Sequence, residues 1–151
     1  MLDAVSESTA PAGSQPTRSS AQTRRVAAID IGTNSTHLLV ASVDTTLGTF
    51  SIEQAEKSTT RLGERDPDSG ELTSEGMQRG YETLRRFRDL AISHDVEQIV
   101  TAATSAVREA PNGREFLQSI QDGLGMDVDL VSGPEEARLI SLGVLSGLSF
   151  G

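Results

Sequence analysis

Three segments of strand length lie almost end to end between residues 26 and 59 of this chain, with no helix-length segment between them. They are VAAIDI at residues 26–31, THLLVASVD at 36–44 and TFSIEQAEKST at 49–59. The first is a continuous run and the second is rich in branched side chains. The third alternates more loosely through Phe50, Ile52 and Gln54 after a turn at Gly48. Connections this short make the first pair a hairpin, and the whole group reads as neighbouring strands of one sheet.

The pattern then changes. RLGERDPDSGEL has the Asp, Pro, Ser and Gly content of a surface loop. Thr73 or Ser74 can cap a helix in which Met77, Tyr81, Leu84, Phe87 and Ala91 recur at spacings of three and four, the mark of one buried face. Arg79, Arg85, Arg86 and Arg88 lie mostly off that face and read as a solvated basic flank rather than a binding patch. EQIVTAATSAV begins as a strand and ends in a small-residue loop leading to Arg108. Asn112 can cap a helix holding Phe116, Leu117 and Ile120, with Gly123 or Gly125 to end it. VDLVS is a short strand. Pro134, at a first helical position, opens a last helix through Ala137, Ile140, Val144 and Leu148. The order βββαβαβα predicts an α/β fold, a mixed sheet flanked by helices.

A chain of 151 residues is normally one domain and can bury a core without staples. With no cysteine, neither disulfides nor thiolate zinc sites are available, which suits a reducing cytosol. Residues 1–25, rich in Ser, Thr, Ala, Pro and Gln, read as a disordered tail without the apolar core of a signal peptide. No window has the apolar length of a membrane span, so a soluble, cytoplasmic protein is expected, with no membrane partner. A net charge of −9 and a pI near 4.6 argue against broad nucleic-acid binding and require any polyanion to be held locally. Only Lys57 among the 13 basic residues is a lysine. Arginine's planar fork suits phosphate oxygens, although codon bias is the simpler reason for that preference.

Three segments could carry chemistry. Between the first two strands, Asp30-Ile31-Gly32-Thr33-Asn34-Ser35 places an acid, a glycine, two hydroxyls and an amide together. A tight turn at Gly32 can aim backbone N–H groups at an anion, with Thr33 and Ser35 adding hydroxyl donors. Asp30 beside such a cradle makes sense if a divalent cation such as Mg²⁺ bridges acid and phosphate. A plain hairpin turn is the equally weighted alternative. In SGPEEAR, Ser132 and Glu135 have capping-box spacing, whereas Glu136 has no capping duty and can accept a proton from water. In TAATSAVREA, small residues and a hydroxyl at Thr104-Ser105-Ala106 reach the carboxyl edge where α/β sheets bind ligands. Arg108 follows there, a phosphate ligand or a surface arginine with equal weight. Arg61, in TTRLGE, is a weaker candidate. His37 and His94 have neither metal-ligand spacing nor a triad partner.

Taken together, AAIDIGTNSTHLLV, TRLGE, ATSAVREAPN and SGPEEARLISLGV resemble the amino-terminal half of the exopolyphosphatase and guanosine-pentaphosphate phosphohydrolase (Ppx/GppA) family, from about Val26 onward. Actin-like ATPases and sugar kinases have related Asp-x-Gly-Thr loops, but Glu-Glu-Ala-Arg after the last strand argues against them. The resemblance implies the actin-like, ribonuclease H-like fold, whose domain has the same βββαβαβα order. It implies Mg²⁺-dependent hydrolysis of a terminal phosphoanhydride, the partner being inorganic polyphosphate or guanosine pentaphosphate. Carried over, Gly32, Thr33, Asn34, Ser35 and Arg108 would hold phosphate, Asp30 would face the metal and Glu136 would be the base. The family's second glycine-rich loop, Asp-x-Gly-Gly-Gly-Ser, and its second lobe do not occur in this chain. Residues 26–151 are thus expected to be one lobe and half a site, weak or inactive alone, or a non-catalytic phosphate-binding module. A face meant for the other lobe would be apolar and exposed, which predicts self-association, for example as a homodimer.

Overall fold

The computed structural model describes residues 23–135. Strands β1 (Thr23–Ile31), β2 (Ser35–Asp44) and β3 (Thr49–Thr59) form an antiparallel meander, as the short connections predict. Helix α1 (Ser74–Ser93) then returns the chain so that β4 (Gln98–Ala103) pairs parallel to β1. Two helices follow, α2 (Ser105–Arg108) and α3 (Gly113–Leu124), before β5 (Val128–Leu130) adds parallel to β4. The sheet order is β3-β2-β1-β4-β5, a mixed sheet with the two crossover strands on one side of β1.

β1 begins at Thr23, earlier than the expected Val26. The polar TRR segment looks like tail by composition. In the fold, β2 is long enough to pair it, Thr23 with Asp44 and Arg25 with Ser42. Arg24 reaches Glu97 at 2.7 Å and Arg25 reaches Glu53 at 3.1 Å, so the guanidiniums stay solvated while the backbone is paired.

The core lies on one face of the sheet, beneath α1 and α3. Ile29, Ile31, Leu38 and Val40 from the strands meet Leu84, Phe87 and Ala91 of α1 and Phe116 and Ile120 of α3, all essentially sealed from water. The stripe read along α1 is this face, with Met77 and Tyr81 at its margin. Thr73 is the α1 N-cap, its hydroxyl accepting from the Gly76 N–H at 3.0 Å.

Two local readings change. The segment after β4 is not a loop, because Ser105–Arg108 turns once as α2. Asn112 precedes α3 but makes no side-chain cap. Its buried amide serves a distant strand-like segment instead, accepting from Leu72 N–H at 2.8 Å and donating to Leu72 O at 3.2 Å. Residues 133–135 are helical, and the expected continuation through Ala137, Ile140, Val144 and Leu148 lies outside the described residues. No helix among the described residues is long and apolar enough to cross a membrane.

Candidate functional site

Because β1, β4 and β5 run parallel, their carboxyl ends share one edge of the sheet. Three segments therefore come to that edge: the β1–β2 turn, α2, and the chain after β5. The turn is tight. Gly32 N–H donates back to Ser35 O at 3.0 Å, and a Cβ on Gly32 would stand 2.7 Å from that same oxygen. Glycine is needed here for space rather than for unusual dihedrals.

That bond decides which donors remain. The Gly32 N–H is spent on closing the turn. Among the described residues the N–H groups of Thr33 and Asn34, both exposed, donate to no protein acceptor. Two successive open backbone donors are the elements of an anion-binding concavity.

The carbonyls of the same turn are held from the other side. Thr33 O accepts from Gly63 N–H at 2.8 Å, and Asn34 O accepts from the N–H groups of Thr60 and Arg61 at 3.1 and 3.0 Å. The turn's acceptors thus face the 60–63 segment, leaving its donors for something else. Gly63 packs closely on the turn, and a Cβ there, 2.4 Å from the Thr33 methyl, would force the Thr33 side chain to shift. Arg61 holds φ 51° in this clamp, an uncommon region for a residue with a Cβ. Its side chain is 66% exposed and 3.9 Å from Glu64.

α2 closes the edge. Thr104 N–H donates to Ile31 O at 3.3 Å, extending the β1–β4 ladder to the turn, and the Ser105 hydroxyl lies 3.2 Å from that of Thr33. Arg108, the last residue of α2, donates from Nη1 to Val131 O and sits 3.7 Å from Glu109. Its guanidinium therefore ties α2 to the chain leaving β5, and its side chain is part-exposed. Val131 N–H donates to Ala103 O at 2.9 Å, and the Ser132 hydroxyl accepts from Glu135 N–H at 3.2 Å, the capping contact predicted for that pair. Glu136 lies outside the described residues.

Asp30 occupies the exposed face of β1, opposite His37 of β2 and beside Ala102 of β4. Among the described residues no three His, Cys, Asp or Glu side chains come together. A single carboxylate beside two open N–H donors does not make a protein cage for a metal. It does fit Mg²⁺, which keeps most of its water and takes one or two carboxylates together with substrate phosphate. His37 is exposed within β2 and His94 is the C-cap of α1, where its N–H donates to Ala91 O.

The sequence brings out the turn, Ser105 and Arg108, singles out neither Thr60 nor Gly63, and reads Arg79 only as part of a solvated flank. Thr60 is buried, its hydroxyl 3.0 Å from that of Thr36, and Arg79 Nε donates to its carbonyl at 2.9 Å. TRLGE drew notice only through Arg61 and the family pattern; the part played by Gly63 is a contact across the chain.

A model of the Ppx/GppA phosphatase family matches residues 38–151. Exopolyphosphatase 1 of Mycobacterium tuberculosis and that of Mycobacterium bovis are 34% identical to the chain over 121 residues, 80% of this chain and 35% of theirs. The crystal structure of an exopolyphosphatase from Cytophaga hutchinsonii superposes with a TM-score of 0.71 at 33% identity, covering 77% of this chain and 36% of that one. The Aquifex aeolicus Ppx/GppA family member gives 0.69 at 30% identity, with 74% and 36% covered. The fold is that of the actin-like, ribonuclease H-like proteins, and the chain spans 35% of the length of the curated relatives it matches.

Proposed function

The chain belongs to the Ppx/GppA phosphatase family, and from that premise we propose that its β1–β2 turn is the phosphate-holding part of a site that hydrolyses the terminal phosphoanhydride of inorganic polyphosphate. The observation that carries this reading is the pair of open N–H donors at Thr33 and Asn34, in a turn whose acceptors are already engaged by residues 60–63. The Thr33 and Ser105 hydroxyls, 3.2 Å apart, leave one donor for a ligand at the same edge, and Arg108 stands three residues further on in α2. Polyphosphate is preferred to guanosine pentaphosphate because the curated relatives at 34% identity are exopolyphosphatases.

Asp30 is the residue that would hold Mg²⁺, and the ion would supply neutralisation of charge on the phosphate oxygens. The chain's own residues position the substrate: Thr33 and Asn34 donate to non-bridging oxygens of the end phosphate, and Arg108 balances its charge. Glu136 takes a proton from water as the water oxygen bonds to the terminal phosphorus. The bridging P–O bond breaks, releasing orthophosphate and a chain one residue shorter.

Phosphate release from polyphosphate in Mg²⁺, measured for this chain and for Glu136→Gln, tests the proposal. Release that the variant loses supports hydrolysis with Glu136 as base. Polyphosphate binding without release, equal in both proteins, would leave a phosphate-binding lobe and refute turnover by this chain.

A further inference from the structure

Away from the turn, a groove of about 720 Å³ runs between the end of β3 and α1. Arg79, Arg85, Arg86, Ser58, Thr59 and Thr83 line it, the Ser58 and Thr83 hydroxyls lying 3.2 Å from each other. We propose that this groove binds the distal part of a polyphosphate chain whose end lies at the β1–β2 turn, an inference that rests on the function proposed above.

Continuity with the turn is the first argument. Thr59 is the register partner of Ser35, so the groove opens one strand away from the turn. Arg79 donates to Thr60 O, and Thr60 N–H donates to Asn34 O, which links the groove wall to the turn through one residue. A polyphosphate longer than the turn can hold must leave along some surface, and every further residue brings another negative charge.

Charge is the second argument. Glu82 and Asp89 also line the groove, but Asp89 is matched by Arg88 at 3.0 Å. Arg79 is likewise matched by Glu64 at 3.0 Å. Arg85 and Arg86 are exposed and have no ion pair among the described residues; Glu82, also without one, offsets a single charge, and the groove stays locally positive on a chain of net charge −9. Arg86 rests over the Phe87 ring at 5.2 Å, a contact that leaves its N–H donors available. Helical spacing puts these arginines off the buried stripe, as a solvated flank. Their lining of one concave surface is what separates a site from a flank, since guanidinium forks suit phosphate oxygens.

The test compares this chain with Arg85→Gln/Arg86→Gln, titrating each with long-chain polyphosphate and with tripolyphosphate at two salt concentrations. Both side chains are exposed, and unchanged thermal melting will show that the variant folds. Two exposed charge contacts predict a loss of about fivefold in long-chain affinity and a shallower salt dependence, with tripolyphosphate affinity unchanged. Equal long-chain affinity in the two proteins would overturn the groove while leaving the turn's role intact. An equal loss for both ligands would also overturn it, because the arginines would then act at the turn. If single-stranded RNA of matched charge competed as well as polyphosphate, the assignment of the ligand would fail. If neither phosphate ligand bound the parent chain, the proposed function would fail and this inference with it.

Discussion

Replacing Gly32 by alanine isolates the geometry of the turn. The new Cβ would sit 2.7 Å from Ser35 O, about 0.7 Å inside the 3.4 Å at which ordinary contact begins, and the obstacle is backbone held in β2. The turn must open, stretching the 3.0 Å bond from Gly32 N–H to Ser35 O. Losing that bond costs about 1 kcal/mol, and forcing the backbone apart costs about 1–3 kcal/mol more. Alanine restricts the unfolded chain and returns about 0.4–1 kcal/mol. The net is about 2 kcal/mol, or about 4–8 °C in melting temperature for a domain of this size. Gly48→Ala is the control: Gly48 has φ +65° and nothing within 4 Å, so it loses about 1 kcal/mol to backbone conformation alone, in a turn remote from the site. Calorimetric titration with tripolyphosphate separates the two. Gly32→Ala should bind weakly even where it is fully folded, and Gly48→Ala should bind as the parent does. A Gly32→Ala protein with parental stability and affinity would refute the claim that close approach in this turn shapes the site.

Other outcomes follow from contacts away from the turn. Asn112→Ala leaves the N–H and C=O of buried Leu72 without partners and should cost about 2–3 kcal/mol, read as a lower urea midpoint at unchanged m; a loss below about 0.5 kcal/mol would contradict the pairing. The Asp66 carboxylate is held below its ordinary 3.8 first by the Ser69 N–H, then by the Asp68 N–H and the Ser69 hydroxyl. A lowered folded value means that its contribution is fully present above 3.8 and disappears as pH falls through the lower folded value. Asp66→Asn should therefore be less stable than the parent at neutral pH, with the gap closing in acid. A gap independent of pH would exclude the ionised form as its source.

Much of this was readable before the fold was known, for reasons that differ by element. The strands and α1 announced themselves because burial on one face imposes a period, and the stripe from Met77 to Ala91 is the face that α1 turns to the sheet. α2 has four residues, too few to show a period. Asn112 has the residue type and place of a helix cap, and only a partner forty positions away in sequence diverts its amide. The turn at Gly32 was legible as a phosphate cradle or a hairpin turn. Which of its N–H groups are open was not, since that depends on Ser35 O capturing the first and on residues 60–63 engaging the carbonyls. Gly63 carried no signal of its own, because what a side chain there would displace is the methyl of Thr33, thirty positions earlier.

Phosphate binding at the turn depends most directly on its open donors, and amide chemical shifts in this chain titrated with tripolyphosphate report on them one by one. The prediction is that the N–H signals of Thr33 and Asn34 move most, while that of Gly32, committed to Ser35 O, moves little. Binding that leaves Thr33 and Asn34 unmoved, or no binding at all, would contradict the placement of phosphate at this turn.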